Sequence, residues 1–166
     1  MSGIVVYRSS SGSTKQYADW IAEETGFAIY DHRDQAIPWG EADTVVIGCP
    51  IIANKPFLSG WIGKNWERMK EKNVVLFTTS GADPADAPVV DWIEKALPEE
   101  IRSKIGFFPL AGRFDYARLR GLNKVMIWVA GVLLGNKDVR NQIQNPIDGV
   151  AKENLAELLG HLKGNG

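Results

Sequence analysis

A short apolar run, Ile4-Val5-Val6-Tyr7, passes through the stretch Ser9-Ser10-Ser11-Gly12-Ser13-Thr14 into a helical pattern. A buried strand that turns through a small hydroxylated loop into a helix forms a cradle for a phosphate group. Loop amides and hydroxyls point inward, and the helix N-terminus adds a favourable dipole. Ser9, Ser11, Gly12, Ser13 and Thr14 are the candidate phosphate ligands. The plainer alternative is that Ser11, Ser13 or Thr14 caps the helix. One hydroxyl suffices for a cap, and five around one glycine exceed that need. Nucleoside-triphosphate loops end in Gly-Lys followed by Ser or Thr. Here the sole Gly-Lys pair, Gly63-Lys64, precedes Asn65 within a helical pattern.

Strand and helix patterns alternate along the rest of the chain. Apolar runs predict strands at Ile4–Tyr7, Phe27–Tyr30, Thr44–Ile47, Val74–Phe77 and Ile105–Leu110. The first helix is expected over Ser13–Thr25, with Gly26 as its C-cap. Leu58, Trp61, Ile62, Trp66 and Met69 form a second helical stripe, and Val89, Val90, Ile93, Ala96 and Leu97 a third, stopped by Pro98. A last helix carries Ala151, Leu155, Leu158, Leu159 and Leu162. Asp31–Glu41 is polar and holds at most one helical turn. Such alternation predicts one α/β domain over residues 1–166, a doubly wound parallel sheet of five strands in the order 2-1-3-4-5. Ligands of such sheets bind beyond the C-terminal strand ends, at the switch point between strands one and three. Three loops should meet there: Ser9–Thr14, Pro50–Lys55 and Thr78–Asp83.

Composition narrows the function. The chain has 166 residues, 45% hydrophobic and 23% charged, enough for a proper core. A net charge of −1 and no basic stripe argue against a nucleic-acid partner. One cysteine permits no internal disulfide, and the start shows no charged-then-apolar leader, so a cytoplasmic location is expected. The two histidines, His32 and His161, have no metal-ligating neighbours at the required spacing, so no metal is expected; both read as surface residues. Cys49 reads as a small packed residue rather than a functional thiol. A phospho-receiver needs an aspartate at the end of strand three and an acidic pair after strand one; Gly48-Cys49 and Arg8-Ser9 stand there instead.

An unbroken apolar run, Val125–Leu134, follows strand five. It is shorter than the about 20 residues that span a bilayer. Leu122–Leu134 is therefore expected to contact a membrane periphery, a quinone-type molecule or a partner, with core burial or a homodimer interface as the alternative.

The first loop, with Ser9, Ser11, Gly12 and Thr14 in the form hydroxyl-x-hydroxyl-Gly-x-Thr, resembles that of the flavodoxins. The resemblance implies flavin mononucleotide (FMN), with its phosphate on that loop. It implies that the isoalloxazine ring sits between Pro50, Ile51, Ile52, Ala53 and Asn54 on one side and Thr78, Thr79, Ser80, Gly81 and Asp83 on the other. The stretch Ala111–Tyr116, the apolar segment, Asp138 and Arg140 look like the flavodoxin branch that contains the menaquinone-dependent protoporphyrinogen dehydrogenases. Arg113, Phe114, Tyr116 and Arg118 are then candidates to face substrate, with an ordinary solvated loop as the alternative. The flavodoxins' ring-stacking aromatics are missing from the two ring loops: Phe57 comes late in the first, and the second has none. No triad or paired carboxylate emerges, which fits a protein whose cofactor carries the redox chemistry. Three functions follow: an FMN-dependent oxidoreductase acting on a bulky, quinone-type or membrane-associated substrate, a soluble electron carrier with a redox partner, and a flavodoxin-fold binding protein without flavin. The apolar segment favours the first over the second.

Overall fold

Ile4, Val5 and Val6 all lie under the surface, so the first strand is covered on both faces, as a parallel sheet requires. The computed structural model describes residues 2–81, 84, 87–114 and 147–164. Five parallel strands make the main sheet: β1 (Gly3–Tyr7), β2 (Ala28–Asp31), β3 (Thr44–Ile52), β5 (Asn73–Ser80) and β6 (Ile105–Ala111). They lie in the order β2-β1-β3-β5-β6. A two-residue strand, β4 (Lys55–Pro56), intervenes in the numbering, so this is the expected 2-1-3-4-5 arrangement.

Alternation along the strands feeds two cores. On one face Ile4, Val6, Val45, Ile47, Val74 and Leu76 meet Ile62, Trp66 and Met69 of α2 (Ser59–Met69), and Ile93 of α3 (Ala87–Ala96). On the other, Val5, Val46, Val75, Phe77 and Phe108 meet Tyr17, Ala18 and Ile21 of α1 (Ser13–Thr25). Leu158 and Leu162 of α5 (Ala156–Gly164) close that face, with Leu155 from the 3₁₀ turn Lys152–Leu155 before it. A short helix, α4 (Glu99–Arg102), follows Pro98 and was not expected. Trp39 opens the 3₁₀ turn Trp39–Glu41 and packs on Trp61, ring centroids 5.7 Å apart.

Two strands run further than their apolar cores suggested. β3 continues through Gly48, Cys49 and Pro50 to Ile52, and β5 takes in Thr78, Thr79 and Ser80. The expected loops Pro50–Lys55 and Thr78–Asp83 thus begin as strand. Past the sheet edge β3 folds back on β4 as a hairpin, Ile51 opposite Pro56 and Ile52 opposite Lys55. Its two turn residues, Ala53 (φ 50°) and Asn54 (φ 60°), are both left-handed, the geometry that keeps a tight hairpin in step with strand twist.

Beyond β6, Arg113–Phe114 (β7) pairs antiparallel with Ile147–Asp148 (β8). Asp83, Tyr116, Arg118 and the apolar Leu122–Leu134 lie outside the described residues. Tyr17 ties this end of the molecule together. Its fully buried hydroxyl donates to the Ala111 carbonyl (2.8 Å) and accepts from Asn154 Nδ2 (2.7 Å), which also donates to the Gly149 carbonyl. The Ala151 amide also donates to that hydroxyl (3.4 Å), so Tyr17→Phe keeps the ring and leaves all three partners short of a bond. It is expected to lower unfolding free energy by about 2 kcal/mol. Urea denaturation checks this; an unchanged midpoint would show that water replaces the hydroxyl.

Candidate functional site

β1, β3 and β5 are neighbours, so the segments leaving their C-terminal ends converge. The first carries the hydroxyl loop. Gly12 is the N-cap of α1, with φ 90°, and no side chain caps the helix. The capping alternative therefore fails: none of the hydroxyls closes the first turn. They hold the loop in shape instead. Ser9 Oγ accepts from the Gly12 amide (3.1 Å), and Ser11 Oγ lies 3.3 Å from Ser13 Oγ. Ser13 Oγ accepts from the Arg113 amide (2.9 Å), which docks β7 onto the loop. Thr14 Oγ1 lies 2.8 Å from Thr79 Oγ1, a buried bond joining the first segment to the third.

The electrostatics suit an anion. The first turn of α1 contains no carboxylate, and Lys15 is held by Asp19 on the outer surface (2.7 Å). Open amides at a helix N-terminus, a left-handed glycine and a first turn without a carboxylate are the chemistry of a phosphate cradle. The residues present thus fit the phosphate of a nucleotide cofactor.

The second segment is the β3–β4 hairpin. Pro50 is buried, Ile51 and Ile52 are half-buried, and Ala53 and Asn54 form the exposed tip. Phe57, at its base, is 45% exposed, and the Arg8 guanidinium lies over its ring, 5.5 Å from the centroid. Arg8 is thereby turned to the hairpin. The Cys49 thiol, fully buried, is pushed up to about 12 by desolvation, which fits a packed and unreactive residue.

The third segment brings buried Thr78 and Thr79 and half-buried Ser80 and Gly81 to the same edge. The Gly112 amide donates to the Ser80 carbonyl (2.6 Å), locking β6 to β5 just before β7. Arg113 pairs with Asp148 (2.7 Å) and reaches Gln16 Oε1 (3.4 Å). Its guanidinium secures the β7–β8 clasp. Phe114 lies opposite Ile147 in that clasp.

His32 corrects the sequence reading. It is not a surface residue remote from the site: its side chain is 15% exposed, and its ring stands edge-on to Phe57 (6.4 Å). The signal lay in the register. β1 and β2 run parallel with Tyr7 opposite Asp31, so the next residues, Arg8 and His32, leave the sheet side by side. Burial holds the His32 imidazole below its ordinary value against the opposing pull of Asp31, whose Oδ1 lies 3.1 Å from Nδ1 without hydrogen-bond alignment. Asp31 itself is lowered to about 2, chiefly by its hydrogen bonds from Arg33. His161 is also half-buried, its ring 5.3 Å from Phe108 on the α5 side of the sheet.

Similar folds occur among solved structures. A candidate flavoprotein from Bacteroides eggerthii DSM 20697 aligns over 80% of this chain and 98% of its own, with 18% identity and a TM-score of 0.51, which shows the shared fold. A flavoprotein from Lactobacillus acidophilus NCFM, in complex with FMN, aligns over 66% of this chain and 91% of its own, with 15% identity and a TM-score of 0.49. The chain matches no curated protein. The flavodoxin domain family matches residues 4–138, a span that takes in the five parallel strands and all three converging segments. The chain therefore belongs to the flavodoxin domain family.

Proposed function

We propose that this chain binds FMN through Ser9–Thr14 and acts as an oxidoreductase toward a bulky, quinone-type or membrane-associated substrate. The observation that carries the FMN reading is the uncapped start of α1, with Gly12 at φ 90° in a loop shaped by its own hydroxyls, in a flavodoxin domain. When bound, the flavin supplies hydride or single-electron transfer. This chain's residues bind and orient it. The α1 amides hold the phosphate, and the β3–β4 hairpin and the end of β5 flank the ring. Phe57 is the exposed aromatic of the hairpin segment, within reach of the site edge by its place at the hairpin base.

The substrate reading rests on the apolar run Val125–Leu134 and on the near-neutral charge, which gives little steering toward a basic electron-transfer partner. It also rests on the likeness of Ala111–Tyr116, Asp138 and Arg140 to the protoporphyrinogen dehydrogenase branch. Phe114 and Ile147, which bracket that segment in sequence, are register partners in the clasp, next to Arg113, whose amide bonds the Ser13 hydroxyl. Among the described residues no helix is long and apolar enough to cross a membrane, so a membrane-associated substrate would be met at the surface.

The test is the colour and chemistry of the purified protein. A yellow protein that releases FMN, or one that quenches FMN fluorescence at micromolar concentration, supports the cofactor reading. Reduction of a short-chain quinone by the flavin-loaded protein, faster than by free FMN under the same reductant, supports the substrate reading. No FMN binding overturns both, and FMN binding without quinone acceleration leaves the soluble electron carrier as the function.

A further inference from the structure

We propose that Thr79 is a positioning residue for the phosphate subsite, acting through Thr14, rather than a ligand of the flavin ring; this rests on the FMN reading above. Strand alternation puts Val75, Phe77 and Thr79 on one face of β5, and Val75 and Phe77 pack in the core under α1. Thr79 is therefore turned to α1. Thr14 sits in the first turn of that helix, and the two hydroxyl oxygens meet at 2.8 Å. Both are sealed: Thr14 is 1% exposed and Thr79 4%.

The bond has two possible directions. Each hydroxyl has one proton to give. If Thr14 gives its proton to Thr79, none is left for an anion at the loop. If Thr79 gives its proton to Thr14, the Thr14 proton is free to face the loop. A phosphate at the head of α1 selects the second direction, and the two hydroxyls then form a chain in which each bond polarises the next. Burial keeps water from taking over the role, so the effect belongs to the Thr79 hydroxyl.

The distinguishing readout is a comparison of FMN with riboflavin, which has the same ring without the phosphate. Wild type, Thr79→Val and Thr79→Ser are titrated with each ligand, followed by fluorescence quenching. Thr79→Val keeps the shape and removes the hydroxyl; Thr79→Ser keeps the hydroxyl. Thr79→Val is expected to weaken FMN binding about fivefold, the usual worth of one hydrogen bond, with riboflavin unchanged. Thr79→Ser should restore FMN binding. In Thr14→Val, adding Thr79→Val should cost nothing more. An equal loss for both ligands, or none for FMN, overturns the proposal while leaving the FMN reading intact. Equal affinity of the wild type for FMN and riboflavin overturns the phosphate cradle itself, and the proposal with it. If Thr79→Val does not fold, Thr79→Cys, of similar size and with only a weak donor, serves the same comparison.

Discussion

Gly12→Val is expected to weaken FMN binding by about a hundredfold while leaving the melting temperature close to that of the wild type. The two halves of this result have different causes. Gly12 stands at φ 90°, where a side chain is strained whatever space surrounds it, and a β-branched one most of all. A Cβ there meets nothing within 4 Å, so packing does not resist the substitution. The loop relieves the strain by turning the backbone at residue 12 to negative φ. That motion withdraws the amides from the anion and breaks the Gly12–Ser9 bond. Strain of this kind costs about 1–3 kcal/mol, and its upper range corresponds to the expected loss. Fluorescence titration measures it, with Gly40→Ala as a control at a glycine whose Cβ also meets nothing and whose φ is not positive. Wild-type affinity in Gly12→Val would reject the phosphate assignment.

Gly48→Ala should produce the opposite pattern, a large loss of stability from a single methyl group. Gly48 lies at the centre of the sheet, opposite Tyr7 on β1 and Phe77 on β5. A Cβ at residue 48 falls 2.2 Å from Phe77 Cζ and within 3 Å of two further ring atoms. The ring cannot step aside. It is fully buried, with the Tyr17 ring against it at 6.4 Å, and Tyr17 in turn holds Ala111 and Asn154. Overpacking of this type costs about 1–3 kcal/mol, and the distance places Gly48→Ala at the upper end. Chemical denaturation gives the value. Adding Phe77→Leu should recover part of the loss, because the smaller side chain vacates the contested volume. Full stability in Gly48→Ala alone would mean that β3 and β5 are spaced more widely than this register implies.

The sheet and the hydroxyl loop were legible because their signals are local. Short apolar runs such as Ile4–Tyr7 and Val74–Phe77 mark the buried strands, the helical stripe marks α1, and Gly26, at φ 74°, ends that helix as its C-cap. The extent of β3 was not legible, since Gly48 and Pro50 read as punctuation. Tertiary context decides otherwise. Pro50 gives its carbonyl to the Phe57 amide, which turns its backbone away from β5, so the missing N–H removes no bond from the parallel ladder. The hairpin turn was hidden because Ala53 carries no hint of a left-handed backbone. The β7–β8 clasp and the neighbourhood of His32 were hidden for another reason. Each depends on residues distant in sequence, Arg113 with Asp148 and His32 with Phe57, and no period within one segment reports such a pairing.

The clasp also separates two variables on which a domain like this can change. Because Phe114 and Ile147 are register partners, the gap that any intervening stretch must close is set by one backbone pair. Closing it costs little more for a long stretch than for a short one, about 0.6 kcal/mol for each doubling of length. In that sense the clasp keeps the spacing of the two ends apart from the length between them: Ser13 and Asp148 hold Arg113 from the side of α1 and the sheet, so the gap does not depend on how many residues are strung across it.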